Sequence, residues 1–157
     1  MPRYFAYGSN MNPERMAGRG LKVVNAKAGY LEGFKLCFNK QSRYCAEEAR
    51  ANIGYDPIGR VEGVVYELAS ASEIYKLDPH EGTPLYYSRE RFSVMTETGL
   101  VSAWVYVANP AVIAEHVLPP RWYLEHLLAG VDYLSVSYLS ALEKTACLEI
   151  SGSVDIG

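Results

Sequence analysis

Cysteine and histidine are scarce, with three of each in 157 residues, and that scarcity argues against two common architectures. Cys37, Cys45 and Cys147 make neither an even disulfide set nor a CxxC pair, and His80, His116 and His126 add no zinc-ligand spacing. Reduced, buried thiols and no bound metal are expected. No window offers the ~20 apolar residues of a membrane span, and MPRYFAYG lacks the continuous apolar core of a signal peptide. A cytoplasmic protein without a membrane partner is the expectation. Charge of one sign never accumulates: 15 basic and 18 acidic side chains leave a net charge of −3, which disfavours a nucleic-acid groove. Arg43, Arg50 and Arg60 stand apart in loop-like sequence and read as solvated surface.

Tyrosine, by contrast, is plentiful at 13 residues. Each brings a large apolar face with a polar tip, which suits a core, a pocket wall or an interface. Composition alone does not choose among these. About half of the chain is apolar (49%) and a fifth charged (21%), which fits one globular domain over residues 1–150 with a core of its own. The small, polar 151–157 tail, SGSVDIG, is expected to be disordered.

Tyr4 to Tyr7 reads as a short aromatic strand stopped by Gly8. Further strand-like runs cover 22–31, 33–39, 49–54, 60–68, 87–96 and 100–107, punctuated by Gly33, Gly54, Pro57-Ile58-Gly59 and Thr98-Gly99. Val61 to Leu68 is the clearest central strand, and Gln41 to Glu48 is a polar loop. Asn12, Pro13 and Glu14 fit the N-cap and first turn of a short helix. Ser70 or Ser72 can cap another, burying Ile74 and Leu77 and ending at Asp78-Pro79. Asn109-Pro110 and Pro119-Pro120 each begin a helical piece, the second carrying Trp122, Leu124, Leu127 and Leu128, and a last helix covers about Val136 to Cys147. Strands threaded by short helices without β-α alternation give an α+β class, with a mixed sheet curled into a small barrel.

Two segments carry candidate chemistry. In Tyr7-Gly8-Ser9-Asn10, a Gly-Ser turn between strand and helix exposes positively biased N–H groups that suit a carboxylate or oxyanion. The same residues also serve as a plain structural turn. They match no dinucleotide fingerprint, Walker loop or nucleophile elbow, so Ser9 is not read as a nucleophile. In LDPHEGTPLYYSRERF, Glu81 lies between a helix end and a Gly-Thr-Pro turn that leads into a Tyr-rich strand. Burial beside aromatic rings would raise its pKa and fit it to accept and return a proton. Alternatively it caps a turn or pairs with Arg89. Asp78 reads as a turn former beside Pro79. Trp104 and Trp122 read as core or interface, His80 as an exposed turn residue, and His126 as surface or interface.

YFAYGSNMN near the start, with LDPHEG following the VEGVVYEL strand, resembles the γ-glutamyl cyclotransferase family. The resemblance implies a small barrel with surrounding helices and a cofactor-independent, metal-free release of pyroglutamate (5-oxoproline) from a γ-glutamyl amine. It implies Glu81 as general acid and base, and a substrate-binding stretch of Tyr4, Phe5, Ala6, Tyr7, Gly8, Ser9 and Asn10. Tyr87 in EGTPLYYSR and Tyr123 in PPRWY would be further substrate contacts. EGTPLYYSR is similar to the pattern of the branch acting on γ-glutamylamines, whereas YGSN is similar to that of the branch acting on γ-glutamyl amino acids. The leaving amine therefore stays open. The resemblance implies a small-molecule partner and is compatible with a homodimer. A non-catalytic binding module of the same fold, holding an acidic metabolite, is the other class, though an anion gains nothing from a nearby carboxylate.

Overall fold

A computed structural model describes residues 1–148. Its strands are β1 (Arg3–Ala6), β2 (Val23–Gln41), β3 (Ala49–Leu68), β4 (Tyr87–Thr96) and β5 (Gly99–Ala108). They close into a barrel in the order β1-β3-β2-β4-β5. β1 runs antiparallel to β3, with Arg3 opposite Glu67, and meets β5 in parallel at Tyr4 and Trp104. The sheet is therefore mixed, as expected. VEGVVYEL is central, paired with β1 on one side and β2 on the other. Phe5, Val61, Val64, Val65, Val94 and Val105 are wholly buried, and burying a side chain of this size contributes about 1.5–3 kcal/mol.

The runs read as 22–31 and 33–39 are one strand, as are 49–54 and 60–68. Gly33 and Pro57-Ile58-Gly59 do not end them. They occupy a break in register between the pairs Glu32–Arg60 and Phe34–Tyr55, where residues 56–59 face only Gly33 and Ile58 projects into solvent, 93% exposed. A bulge absorbs the extra residues and bends the strand. Beyond it, the hairpin's far end supplies one wall of the cleft. Ser42 and Glu48 in the connecting segment are buried, so that segment is not the wholly solvated loop its polarity suggests.

Helix α1 (Pro13–Gly18) begins as its sequence predicts, with Asn12 Oδ1 accepting the Glu14 N–H at 3.1 Å. The chain does not stop at Asp78-Pro79. A 3-10 turn over Glu73–Lys76 runs on into a single helical turn, α2 (Asp78–Glu81), because proline in a first turn removes only an N–H that has no helical partner. Ser72 makes no side-chain capping bond there. Gly82 then ends α2 at φ +63°, a conformation that favours glycine, and a Cβ there would stand 2.4 Å from the Tyr86 ring. Glu81 is thereby fixed as the helix's last residue. Asn109-Pro110 opens only a 3-10 turn (Pro110–Val112). α3 (Arg121–Leu128) buries Tyr123, Leu124 and Leu127, and α4 (Val136–Glu143) stops short of Cys147.

The three cysteines are unpaired, but they are only partly buried. Cys37 lies on the bent hairpin, Cys45 on its connecting segment and Cys147 past the last helix, all peripheral to the barrel core. The 151–157 tail lies outside the described residues. Among those residues, no helix is long and apolar enough to cross a membrane.

Candidate active site

The end of β1 with the turn after it, the end of α2, the start of β4, helix α3 and the far end of the β2–β3 hairpin surround a two-part cleft. An inner chamber of about 30 Å³ is walled by Tyr4, Tyr7, Gly8, Asn10, Ala51 and Tyr106. An outer vestibule of about 200 Å³ carries Arg15, Arg19, Lys40, Arg43, Arg50 and Trp122. Ser9, Glu81, Tyr87 and Tyr123 belong to both.

Glu81 is at that junction with a side chain only 16% exposed. Its Oε1 accepts from Asn10 Nδ2 at 3.2 Å and is 4.0 Å from an Arg19 terminal nitrogen. Arg19 also donates to Asn10 Oδ1 at 2.8 Å. A guanidinium can only donate, so this contact fixes which end of the amide is oxygen and turns the NH2 towards Glu81. The same NH2 reaches Tyr4 Oη at 3.0 Å, and the Asn10 carbonyl accepts from Tyr66 at 2.7 Å. Burial pushes the Glu81 carboxyl above its ordinary pKa, while Arg19, then Lys40, Arg15 and Arg43, pull it back. A carboxyl so placed is suited to exchange protons nearer neutrality.

The alternative pairing of Glu81 with Arg89 does not occur. Arg89 grips Asp78 with two bonds, at 2.9 and 3.3 Å, and Tyr106 donates to the same carboxylate at 2.7 Å. Asp78 is therefore not a simple turn former, because its side chain ties α2 to β4 and β5 instead of bonding the following N–H groups.

Five tyrosines, Tyr4, Tyr7, Tyr87, Tyr106 and Tyr123, wall the chamber and their hydroxyls are engaged. Tyr87 Oη donates to the Ala51 carbonyl at 2.7 Å, the Ala51 N–H donates to Tyr123 Oη at 2.9 Å, and Tyr7 donates to the Tyr106 carbonyl. Burial raises the pKa of Tyr4, Tyr7, Tyr87 and Tyr123, so all remain neutral phenols. Gly8 makes the close approach possible, since a Cβ there would stand 3.2 Å from both Tyr123 Oη and Ala51 Cβ. Ser9 and Asn10 open the 3-10 turn Ser9–Met11, and N–H groups at such a start have no partner within the turn. Among the described residues no backbone acceptor takes them.

Phe5 and Ala6, expected on the substrate-binding stretch, line neither compartment. Both are 0% exposed. Strand alternation turns Phe5 to the face opposite Tyr4, where its ring packs close over Gly63, and the Ala6 methyl is enclosed in the barrel wall.

Other side chains enter the site without a signal in the motifs. Arg43 and Arg50, read as solvated surface, face the vestibule because the hairpin carries them there. Arg60 is half-exposed above the Tyr30 ring at 3.8 Å, away from the cleft. Lys40 is 5% exposed, with Nζ 5.0 and 5.4 Å from the Tyr86 and Tyr87 ring centroids. Its pKa falls to about 8 through burial and the nearby Arg50 and Arg43. Trp122 is a vestibule wall against which Arg50 stacks at 5.0 Å, whereas Trp104 packs on the core under Arg89 and Arg91. His126 is not simple surface: it bridges Asn12 at 3.0 Å and Arg15 at 3.2 Å, joining α3 to α1. His80 is an exposed rim residue. One signal for Lys40 and Arg50 existed, because they flank the polar 41–48 segment and so would face each other at a hairpin end.

The model of the family described as gamma-glutamyl cyclotransferase, AIG2-like, matches residues 4–125. The chain belongs to this family. Every residue of the chamber and vestibule named above lies inside the matched range. A solved structure named gamma-glutamyl cyclotransferase is 25% identical, with a TM-score of 0.83 over 99% of this chain and 94% of that one. An uncharacterized protein from Homo sapiens is 26% identical, with a TM-score of 0.82 over 98% and 93% of the two chains. A yeast gamma-glutamyl cyclotransferase specific to glutathione shares the fold, with a TM-score of 0.66 at 14% identity over 90% and 93% of the chains. No curated protein matches the chain.

Proposed function

We propose that the protein is a γ-glutamyl cyclotransferase, releasing pyroglutamate and an amine, with Glu81 as general base and then general acid. The observation that carries this reading is a mostly buried carboxylate, held by Asn10 and Arg19, where the two compartments meet. At about 30 Å³ the inner chamber holds only a few atoms, so the reacting end of the γ-glutamyl group would reach into it past Glu81, with the rest of the substrate and its amide substituent in the vestibule. Glu81 accepts a proton from the α-ammonium, and the freed nitrogen attacks the γ-carbonyl carbon to close a five-membered ring. The C–N bond to the substituent then breaks as Glu81 returns that proton to the departing nitrogen, and the second hydrogen on the ring nitrogen follows through Glu81, so that the ring ends as a neutral lactam and the amine leaves as an ammonium. Holding a folded conformer supplies much of the acceleration, since nucleophile and electrophile belong to one molecule. Charge developing on the carbonyl oxygen suits the N–H groups of Ser9 and Asn10, which lose no bond in turning to it. Tyr4, Tyr7, Tyr87 and Tyr123 serve as fixed walls.

The test is mass-spectrometric detection of pyroglutamate from γ-glutamyl amino acids, ε-(γ-glutamyl)lysine and glutathione, with Glu81→Gln as control. Release by the wild type and not by the variant is expected. No release, combined with a rise in melting temperature when the same compounds are added, would replace the enzyme with a binding module, because a ligand that binds the native state stabilises it.

A further inference from the structure

Ring closure needs one proton carrier and a few hydrogen-bond donors, yet the vestibule holds far more positive charge than that. Lys40 and Arg50 are register partners at the end of the β2–β3 hairpin. Residues directly opposite leave a ladder on the same face, and like charges so placed repel. Arg43, from the connecting segment, faces the same cavity, and Arg15 and Arg19 add two more cations to its wall. Among the described residues, Glu81 is the sole acid on that wall, and it is already engaged by Asn10 and Arg19.

None of Lys40, Arg43 and Arg50 makes an ion pair among the described residues. Aromatic rings hold them instead, Tyr86 and Tyr87 for Lys40, Tyr44 and Tyr86 for Arg43, Trp122 and Tyr123 for Arg50, together with neutral backbone carbonyls, Pro79 for Arg43 at 3.4 Å and Ala49 for Arg50 at 3.2 Å. Lys40 is the sharpest case, because it is 5% exposed with no carboxylate at ion-pair distance, and Glu81, the one acid whose charge reaches it, acts from across the cavity and is outweighed by Arg50 and Arg43. Burying such a charge beside two others of the same sign is unfavourable, and the arrangement is relieved when anions enter. A single leaving-group carboxylate would leave most of the charge unmatched.

We propose that the departing amine carries two or more negative charges, as carboxylate or phosphate, and that Lys40, Arg43 and Arg50 bind them in the vestibule. This rests on the cyclotransferase reading and names its substrate class.

Two pairs test it: the near-isosteric γ-glutamyl-glutamate and γ-glutamyl-glutamine, and γ-glutamyl-phosphoserine against γ-glutamyl-serine, which differ in size as well as charge. Pyroglutamate release is followed for each, and the two pairs separate carboxylate from phosphate as the source of charge. In at least one pair the charged member should have a kcat/KM higher by about tenfold or more, chiefly through a lower KM. Added salt should shrink the ratio, and Arg43→Met or Lys40→Met should move it towards one. Turnover with ratios at or below one in both pairs would overturn the charge inference and leave the cyclotransferase reading standing. A wild-type preference that neither variant alters would overturn the residue assignment. No pyroglutamate from any of the four compounds, with folded protein, would overturn the cyclotransferase reading and this inference with it.

Discussion

Asn10 and Glu81, 71 positions apart in the chain, meet at 3.2 Å where chamber and vestibule join. Asn10 is clamped at both ends of its amide, by Arg19 on the oxygen and by Tyr4 and Glu81 on the nitrogen. Asn10→Ala should therefore act on orientation as well as stability. We expect kcat to fall by about 10- to 100-fold and unfolding free energy to fall by about 1–3 kcal/mol, because buried polar partners lose their bonds. Parallel kinetics and urea titrations measure both, and a stability loss with unchanged kcat would make Asn10 purely structural.

Glu81→Gln keeps the shape of the side chain and removes its proton chemistry. Turnover should drop by at least about 100-fold, the usual scale for general acid–base groups, while γ-glutamyl compounds still raise the melting temperature. Near-normal turnover would remove Glu81 from the mechanism.

The pH profile should show both titrating groups. Burial holds the Glu81 carboxyl above the ordinary carboxylate value of about 4.3. The base must be deprotonated to act, so kcat/KM should rise with pH along an acid limb displaced upwards. Arg19 is the strongest opposing influence. Arg19→Gln should thus raise the carboxyl's pKa further and move the limb to higher pH. On the alkaline side, Lys40 loses its charge around pH 8, weakening the capture of anionic substrate. kcat/KM should fall there, and Lys40→Met should remove that fall.

Gly8 tests the turn. A Cβ would approach Tyr123 Oη and Ala51 Cβ at 3.2 Å, and valine adds two methyl groups to that crowding. Gly8→Val should raise KM by about tenfold or more, the loss of roughly one good contact, and should also lower the melting temperature. An unchanged KM would mean that the turn only shapes the fold.

Tyr123→Phe isolates one hydrogen bond. It leaves the buried Ala51 N–H without its acceptor, at a cost of about 1–3 kcal/mol. Denaturant titration measures that cost, and a change below a few tenths would indicate that water replaces the hydroxyl.

The parts of this cleft that were legible in the sequence are those with local causes. Asn12 caps the helix that Pro13 begins, Gly8 ends an aromatic strand, and Glu81 sits just before the glycine that stops its helical turn. What escaped depends on distant pairing. Pro57-Ile58-Gly59 looks like the end of a strand because proline and glycine break ladders locally, yet two flanking ladders carry the chain through as a bulge. Arg43 and Arg50 look like solvated charges because the polar 41–48 segment hints only at a hairpin end, and nothing local shows that its bend will gather them with Lys40 over Tyr86, Tyr87 and Trp122. Phe5 and Ala6 go the other way, since they share a motif with cleft residues while strand geometry encloses their side chains in the core.

The two compartments of the cleft draw on different stretches of chain. Residues 4–10 and 78–87 build the wall around Glu81, and residues 40–50 carry most of the cations that face it from the outside. On the proposed reading, cyclising and discriminating are therefore written in separate cassettes. Exchange of the hairpin end alone becomes a route to a different leaving amine, with Glu81, Asn10 and Arg19 still joined by bonds outside that segment, at the cost of the Arg43 contact with Pro79 and of the downward pull of Lys40 and Arg43 on the Glu81 carboxyl.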